Sequence, residues 1–211
     1  MVPQRAAVPR GRHAPPLEVR LGVQRTRLFE AAAAAFARAG YADASAESIA
    51  REAGMSKATF YEHFANKEEC ILALFDWASA MVLRAMAEAA AAAGDDPGAR
   101  LQAGINAFLE QVATHPDESQ TLLVEIIGAG PRAAERRDAI LVAFADTLYA
   151  EAERAREHGQ GRGFASRQDA FAAIAGAAEL ASRQIRRGEP HDVRELEPVV
   201  ERLITGLINR P

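Results

Sequence analysis

Apolar residues recur at intervals of three and four along most of the chain, a spacing that predicts helices. Runs of Val, Ile and Thr that would form strands are short, and Gly and Pro fall between long periodic stretches. We therefore predict an all-α fold of about nine helices without a strand. The helices are expected at residues 24–39, 46–53, 57–64, 67–93, 98–114, 117–127, 132–157, 168–187 and 196–209.

Glycines mark the ends of the first two predicted helices. Gly40 follows the first helix, where a glycine adopts the left-handed conformation without strain, and Tyr41 after it can fold back on Phe36. Gly54 follows the second helix in the same way. Both helices are therefore expected to end at a glycine.

Three side chains are placed to cap the helices that follow. Ser45 and Ser56 precede the second and third helices, where a hydroxyl can accept a hydrogen bond from a free backbone N–H. Asn66, with Glu69 three residues later, resembles a capping box that opens the fourth helix. Three short helices with a glycine turn between the second and third predict a helix-turn-helix.

The net charge of −4 hides an uneven division of charge along the chain. Residues 1–67 carry 10 Lys and Arg against 6 Asp and Glu, whereas residues 68–211 carry 15 against 23. The only two lysines, Lys57 and Lys67, lie in one short segment. Basic charge is thus concentrated at one end, where a polyanion such as DNA would bind.

The first 20 residues are rich in proline and arginine and poor in apolar residues, so we predict a disordered basic arm over residues 1–20. One interpretation of this arm is a solvated tail without a function. The other is a strand that follows the minor groove of DNA.

The predicted helix-turn-helix has a specific sequence. It reads IAREAGMSKATFYEHFANKE over residues 49–68 and is preceded by Phe36, Gly40 and Tyr41. This pattern resembles the DNA-binding region of the TetR/AcrR (tetracycline repressor) family, and the match covers roughly residues 24–75. Without the family, the periodicity alone supports only some helix-turn-helix protein. The resemblance implies a homodimeric bacterial transcription regulator, commonly a repressor, that binds a palindromic operator.

The third helix has to bury one face and present the other to the major groove. Met55, Phe60 and Phe64 are expected on the buried face. We expect Lys57 and Ala58 to read bases, because a lysine donates to guanine and an alanine methyl can meet the thymine methyl.

The other expected DNA contacts are to phosphate oxygens, which fix register rather than sequence. Lys67 lies in the first turn of the fourth helix, where free N–H groups favour an anion, and the resemblance makes it a phosphate contact. Glu62 is unfavourable beside phosphates, so we expect it to point away or to accept from a cytosine amino group. The remaining predicted contacts are Ser45, Ser56, Thr59, Tyr61 and His63, followed by Arg25 and Arg27.

Two alternatives to DNA binding stay open at this point. In one, the segment is an ordinary surface helix pair in which Tyr61 and His63 are half-buried packing residues. In the other, the chain is a helical protein-interaction module with no effector pocket and a vestigial DNA domain. The salt dependence of DNA binding distinguishes these alternatives from a true DNA-binding protein, because the affinity of such a protein for DNA falls steeply as the salt concentration rises.

In the family that the segment resembles, the later helices form a ligand-binding body and the last two pair with a second subunit. We therefore assign residues 21–66 to a DNA-binding domain and residues 67–211 to an effector-binding and dimerisation domain. The alternative for the last two helices is packing within one monomer. Pro198 fits the last helix only if that helix begins near Glu197 or tolerates a kink. The expected dimer surface comprises Leu196, Val199, Val200, Leu203, Ile204, Leu207 and Ile208, with Phe171, Ile174, Gly176, Ala177, Ala178, Ala181 and Ile185.

A cavity for a small-molecule effector is expected among the fourth to eighth helices, with an apolar lining. The candidate lining residues, chosen by chain position, are Trp77, Met81, Phe108, Phe144 and Tyr149, and the alternative is that they are plain core. Because no cluster of acids is present, we expect a mainly hydrophobic effector that is neutral or anionic. We expect it to act through the long fourth helix on the spacing of two recognition helices.

The sequence gives little support for catalysis, metal binding or a redox-active cysteine. The five histidines have no metal-ligand spacing and no nucleophile partner, so we expect no enzyme and no cofactor. His115 is expected at the surface, Glu125 as a hydrogen-bonded acid in an apolar stretch, and Cys70 as a small buried hydrophobe rather than a redox sensor. No signal peptide and no membrane span is apparent, so we expect a cytoplasmic protein.

Overall fold

The computed structural model describes residues 16–208, and within that range its secondary structure consists of helices joined by turns and loops, which confirms the predicted all-α class. Two 3-10 helices, Glu125–Gly128 and Val193–Leu196, accompany nine α-helices within these residues. The α-helices are α1 (Leu17–Asp43), α2 (Ala46–Glu52), α3 (Lys57–His63), α4 (Lys67–Ala92), α5 (Pro97–Thr114), α6 (Pro116–Leu123), α7 (Pro131–Glu157), α8 (Arg167–Arg187) and α9 (Glu197–Ile208).

The start of α1 corrects the predicted arm. The helix begins at Leu17, where the N–H of Arg20 donates to the carbonyl of Pro16 over 3.1 Å, so residues 17–20 are helical rather than disordered. Apolar periodicity gave no signal there because the first turns bury no face, and Leu17 is 61% exposed. Residues 1–15 of the predicted arm lie outside the described residues.

Gly40 interrupts α1 as predicted. Its φ of 76° and ψ of 160° are not helical, and residues 41–43 form one further turn in a new direction. The Tyr41 ring then packs on Phe36 with a centroid distance of 5.7 Å, which is the predicted contact. We call residues 40–42, where the chain changes direction, the junction turn.

The structure corrects the end of one predicted helix and fixes the start of another. The helix predicted over residues 117–127 ends at Leu123, and the 3-10 helix Glu125–Gly128 completes the segment. The helix α9 begins at Glu197, so Pro198 lies in its first turn, where the missing N–H is harmless.

The buried side chains form two clusters, one at each end of the molecule. The first joins α1, α2, α3 and the first half of α4, and it also takes Ile126, Ala129 and Ala133 from the other side of the predicted domain boundary. The second joins α5, α7, α8 and α9. The predicted DNA-binding domain is therefore packed, through α1, against α6 and the first 3-10 helix, and the division at residue 66 stays a prediction.

The helix α4 begins in the first cluster and packs along α5, which belongs to the second. By length and composition it is apolar enough to cross a membrane, but 44% of its most apolar window is buried by the rest of the fold. A core helix of this length has the same properties, so we treat α4 as a core helix.

Candidate nucleic-acid interface and effector cavity

The helices α2 and α3 both begin at a serine cap. The Ser45 hydroxyl accepts from the N–H of Ser48 over 3.1 Å, and the Ser56 hydroxyl accepts from the N–H of Thr59 over 3.0 Å. Between them Gly54 has a φ of 67°, in the left-handed region that favours glycine. Both predicted serine caps are thereby confirmed.

Phenylalanines hold α3 against the body. Phe60 is fully buried, and its ring lies 5.4 Å from that of Phe64, which in turn lies 5.7 Å from Phe29 of α1. Met55 is half-buried against the same cluster. The predicted inner face is therefore the one that packs, and the opposite face of α3 must look outward.

The outward face of α3 carries Lys57, Ala58, Tyr61 and Glu62, all exposed. Tyr61 is 50% exposed and its ring meets Phe60 edge to face at 5.5 Å, which gives the side chain a defined direction. The ammonium of Lys57 lies 4.0 Å from the Glu47 carboxylate, a surface ion pair of little energy that DNA can displace. These exposed side chains lie on the part of α3 that would enter a major groove.

Thr59 and His63 are only half-exposed, at the border of that face. The Thr59 hydroxyl lies 3.0 Å from the Ser56 hydroxyl, and His63 Nε2 lies 3.4 Å from Gln24 Oε1. Burial, and then the neighbouring Arg25 guanidinium, lower the pKa of His63 below its ordinary value. In the free protein His63 is therefore a neutral hydrogen-bonding group at neutral pH rather than a cation.

Lys67, a predicted phosphate contact, also makes contacts within the protein. Its Nζ donates to the carbonyl oxygens of Tyr41 over 2.6 Å and of Ala42 over 3.0 Å, and it lies 4.4 Å from the centroid of the Tyr41 ring. The side chain thus ties the start of α4 to the junction turn. An ammonium has three donors, so one remains for a phosphate. Sequence reasoning missed the internal role because the partners are backbone carbonyls about 25 residues away.

Arg25 and Arg27 also support the helix-turn-helix from within. The Arg27 guanidinium donates from Nη2 to the carbonyl of Ala53 over 2.8 Å, beside Gly54. The Arg25 guanidinium lies 5.3 Å from the Phe29 ring centroid and 5.0 Å from that of Phe64. Both arginines brace the residues that hold α3, and their predicted phosphate contacts would have to use the remaining donors.

Glu125 links the predicted DNA-binding domain to the rest of the molecule. Its Oε2 accepts from the backbone N–H of Tyr41 over 2.7 Å, and its Oε1 accepts from Gln120 Nε2 over 2.9 Å. Glu125 is half-buried, so it is the hydrogen-bonded acid that was expected. The junction turn is thereby held from two sides, by Lys67 of α4 and by this carboxylate.

A cavity of about 850 Å³, counting the space open to solvent, lies between α4, α5, α6, α7, α8 and α9. Its walls are almost entirely apolar. Phe108 and Phe144 are among the lining residues. The other lining residues are Phe75, Ser79, Val82, Met86, Ile105, Val112, Ser119, Leu122, Leu123, Arg137, Ile140, Leu141, Ile174, Ala177, Ala178, Val200 and Ile204.

The three other predicted lining residues lie elsewhere, which corrects the expectation that all five share one cavity. Trp77 stacks on Phe29 at 5.4 Å, in the first core cluster. Met81 contacts Arg84, whose Nη2 is 3.7 Å from its sulfur. Tyr149 stacks on Phe164 at 6.5 Å. On α4 the cavity takes residues 75, 79, 82 and 86, one helical face, and position along the chain could not identify that face.

The expected dimer surface is divided between the inside and the outside of this monomer. Leu196, Val200 and Ile204 are buried within the chain, whereas Val199 is 38% exposed, and Leu203, Leu207 and Ile208 are half-exposed. The helices α8 and α9 approach closely, because a Cβ on Gly176 would lie 2.7 Å from a Leu203 methyl carbon. The outward part of this surface stays a candidate for a second subunit.

The remaining expectations about single residues hold. Cys70 is buried, and burial raises the pKa of its thiol to about 12, which suits a core residue and not a reactive thiol. His115 is exposed between α5 and α6.

Comparison with known proteins agrees with this geometry. Residues 28–74 match the family model described as bacterial regulatory proteins, tetR family. This match covers the end of α1, all of α2 and α3 and the first part of α4, which are the elements of the surface described above.

Solved structures are similar over nearly the whole chain. The fatty acid degradation regulator FadR from Bacillus halodurans has a TM-score of 0.79 at 18% identity, covering 89% of this chain and 97% of its own. FadR from Bacillus subtilis in complex with stearoyl-CoA has a TM-score of 0.74 at 20% identity, covering 86% and 98%. SmeT, the repressor of a Stenotrophomonas maltophilia multidrug efflux pump, has a TM-score of 0.71 at 21% identity, covering 86% and 88%. At these identities the likeness shows a shared fold.

Proposed function

We propose that this chain is a TetR-type transcriptional regulator that acts as an effector-released repressor, and the match of residues 28–74 to the family model for bacterial regulatory proteins of the tetR family supports this. The observation that carries the proposal is the outward face of α3, held rigid by Phe60 while Lys57, Ala58 and Tyr61 stay exposed. The family that residues 28–74 match consists of bacterial regulatory proteins, which supports a regulator rather than an enzyme.

The proposed DNA contacts divide into base contacts and phosphate contacts. Lys57 and Ala58, fully on the outward face, read base edges in the major groove. Tyr61, on the same outward face, donates to a phosphate. Ser45, Ser56, Thr59, His63 and Lys67 are proposed phosphate contacts, of which Lys67 keeps a single donor for this purpose.

We propose a dimer made by α8 and α9 and their copies. The support is the set of apolar side chains on α9 that the monomer leaves partly exposed, above all Val199 and Leu203. A twofold dimer places two α3 helices on one face, as a palindromic operator requires.

The proposed effector is a small, mainly hydrophobic molecule bound in the apolar cavity. The cavity favours this function over that of an interaction module without an effector pocket. It is also in keeping with the likeness to a FadR that binds stearoyl-CoA. The effector releases DNA if it binds more tightly to the form that does not fit the operator.

The structure offers two routes from the cavity to the junction turn. One is α4, which contributes Phe75 to the cavity wall and Lys67 to the junction turn. The other is α6 and the 3-10 helix behind it, which contribute Ser119 to the wall and Glu125 to the junction turn. A ligand that spreads α4 from α6 would therefore pull on the same three residues from two sides.

Selection of bound duplexes from a random pool tests the DNA part of the proposal. We expect a palindrome whose half-sites are separated by about one helical turn or a multiple of it, because the dimer has twofold symmetry. Recovery of no preferred sequence, at low salt, would reject a sequence-specific repressor.

A mobility shift with the selected operator tests the effector part. Hydrophobic metabolites are added one class at a time, and we expect one class to weaken operator binding. If no class changes the affinity, the cavity has no regulatory role.

A further inference from the structure

The lining of the cavity contains only three polar side chains among the described residues: Ser79 of α4, Ser119 of α6 and Arg137 of α7. The other lining residues are aliphatic or aromatic. Polar groups in a site of this kind fix the orientation and the chemistry of the ligand. Their identity and position therefore carry information beyond the hydrophobicity of the site.

Ser79 is a buried group without a partner. It is 3% exposed, and its Oγ has no hydrogen-bond partner in the structure. A buried hydroxyl that makes no hydrogen bond costs free energy, and natural folds seldom keep one without a reason. A ligand atom at the cavity wall would satisfy it.

Arg137 differs from the arginine beside it. Arg136 pairs with Asp76 of α4 over 2.9 Å. The Arg137 guanidinium, in contrast, makes no ion pair and no hydrogen bond with any of the described residues 16–208. Arg137 shares one face of α7 with Ile140, Leu141 and Phe144, all at the cavity. A guanidinium at an apolar wall, without a carboxylate of its own, is a site for an anion from outside the chain.

Ion pairs between α4 and α7 show at which end of the cavity the polar groups lie. Arg132 contacts Glu69 over 2.6 Å and Arg136 contacts Asp76 over 2.9 Å, so both helices start near the DNA-binding domain and run in the same direction. Ser79 and Arg137 lie within about one turn of the Asp76–Arg136 pair. The cavity residues Met86 and Phe144 lie seven residues further along their helices, which is about 10 Å.

We propose that the effector is an amphipathic anion, bound with its head group at Arg137 and its apolar chain extending away from the DNA-binding domain. The guanidinium pairs with the anionic oxygens, and the Ser79 hydroxyl donates to a head-group oxygen. The chain lies along Met86 and Phe144, toward Val200 and Ile204 of α9. This inference rests on the proposed effector cavity and names the ligand class of that site.

Calorimetric titration of the full chain with three ligands of equal chain length tests the charge requirement. The ligands are decanoate, decanol and decanoyl-CoA, and the variants are Arg137→Met, Arg137→Lys and, as a matched control, Arg162→Gln in the exposed loop before α8. In the unaltered protein we expect decanoate to bind about tenfold or more tightly than decanol, the size of a charge-assisted hydrogen bond. Arg137→Met should bring this ratio near one, whereas Arg137→Lys and Arg162→Gln should keep a preference for the acid.

Ser79→Ala gives a second measurement that does not depend on Arg137. We expect it to weaken decanoate binding about two- to tenfold, because one hydrogen bond to the head group is lost. Thermal melting of each variant shows that the fold is intact. An equal affinity for decanoate and decanol in the unaltered protein, or a ratio that Arg137→Met leaves unchanged, overturns the inference.

Decanoyl-CoA distinguishes the sources of the anion. If it binds more tightly than decanoate and Arg137→Met weakens it, the coenzyme phosphates supply the charge and the inference stands. Binding of the ester that is insensitive to Arg137, or no binding of any of the three ligands, overturns it.

A mobility shift with the selected operator separates this inference from the proposed function. Decanoate that binds through Arg137 but leaves operator affinity unchanged supports the ligand class and rejects effector release. Operator release by an uncharged hydrophobic molecule, together with no effect of decanoate, supports effector release and rejects the anionic class.

Discussion

The DNA-binding surface and the effector cavity are built in different ways. The outward face of α3 comes from one stretch of seven residues, and its position depends on two serine caps, one glycine and the ring of Phe60. The cavity takes its wall from six helices, each of which contributes two to four residues. A change in the surface should therefore act locally and predictably, whereas the cavity depends on how distant helices pack.

The largest effect is expected where the surface meets the core. Phe60→Ala removes a fully buried ring from the cluster that holds α3, and we expect a loss of about 3–5 kcal/mol in the free energy of unfolding. Tyr61→Ala, at a side chain that is 50% exposed, should change this free energy little and weaken DNA binding instead. Denaturant unfolding measures both variants. Equal destabilisation by the two would mean that α3 is not anchored by one face.

The next effect separates base reading from positioning. Lys57→Ala should reduce discrimination between the preferred base pair and its alternatives by about 1–3 kcal/mol, because one base contact is lost. Lys67→Ala should weaken binding to all sequences alike, and it should also lower the free energy of unfolding because the junction turn loses two hydrogen bonds.

Competition binding with operator variants measures the first property, and unfolding without DNA measures the second. A Lys67→Ala protein of unchanged stability would show that its contacts to Tyr41 and Ala42 contribute nothing. A loss of base preference in Lys67→Ala, equal to that in Lys57→Ala, would refute the division of roles.

How far the sequence predicts this molecule follows from the same difference between the two regions. The caps at Ser45 and Ser56, the Gly40 break and the buried face of α3 depend on residues a few positions apart, and all could be predicted from spacing. The cavity could not, because a choice between Trp77 and Phe75 on α4 depends on which helices pack on each side. The contacts of Lys67 and Glu125 could not be predicted either, since their partner Tyr41 is distant in the chain.

Glu125 tests whether the two regions are mechanically joined. Glu125→Ala removes the acceptor for the N–H of Tyr41, a hydrogen bond to a charged group worth about 1.5–3 kcal/mol. We expect amide hydrogen exchange at Tyr41 to become at least tenfold faster, and the exchange of amides in the middle of α3 to follow in part. Glu125→Gln keeps an acceptor oxygen and is the matched control. Exchange that is unchanged in Glu125→Ala would show that the junction turn is held by Lys67 alone.

A smaller effect concerns the cavity wall. Phe144→Ala removes a ring that lines the cavity, whereas Tyr149→Ala removes a ring that stacks on Phe164 outside it. We expect the first to weaken decanoate binding about tenfold and the second to leave it nearly unchanged, since only the first loses apolar contact with the chain of the ligand. Calorimetric titration measures both. A similar loss in the two variants would mean that the cavity responds to packing in general and not to its lining.

The smallest effect is a pH dependence at the border of the DNA-binding surface. Burial, followed by Arg25, lowers the pKa of His63 in the folded protein, so the unfolded chain binds more protons at this site below pH 6.5. The stabilisation that the neutral His63 ring gives the folded protein is complete above the unfolded pKa and is lost as the pH falls through the folded pKa. We expect His63→Gln to flatten this dependence of the free energy of unfolding on pH.

A phosphate beside His63 would act in the opposite sense, because it favours the protonated ring and raises its pKa. If His63 contacts the DNA backbone, operator affinity should therefore rise as the pH falls from 7 toward 6, and this rise should disappear in His63→Gln. A stability slope that depends on His63, without any change in the affinity, would place the residue inside the packed part of α3 and remove it from the phosphate contacts.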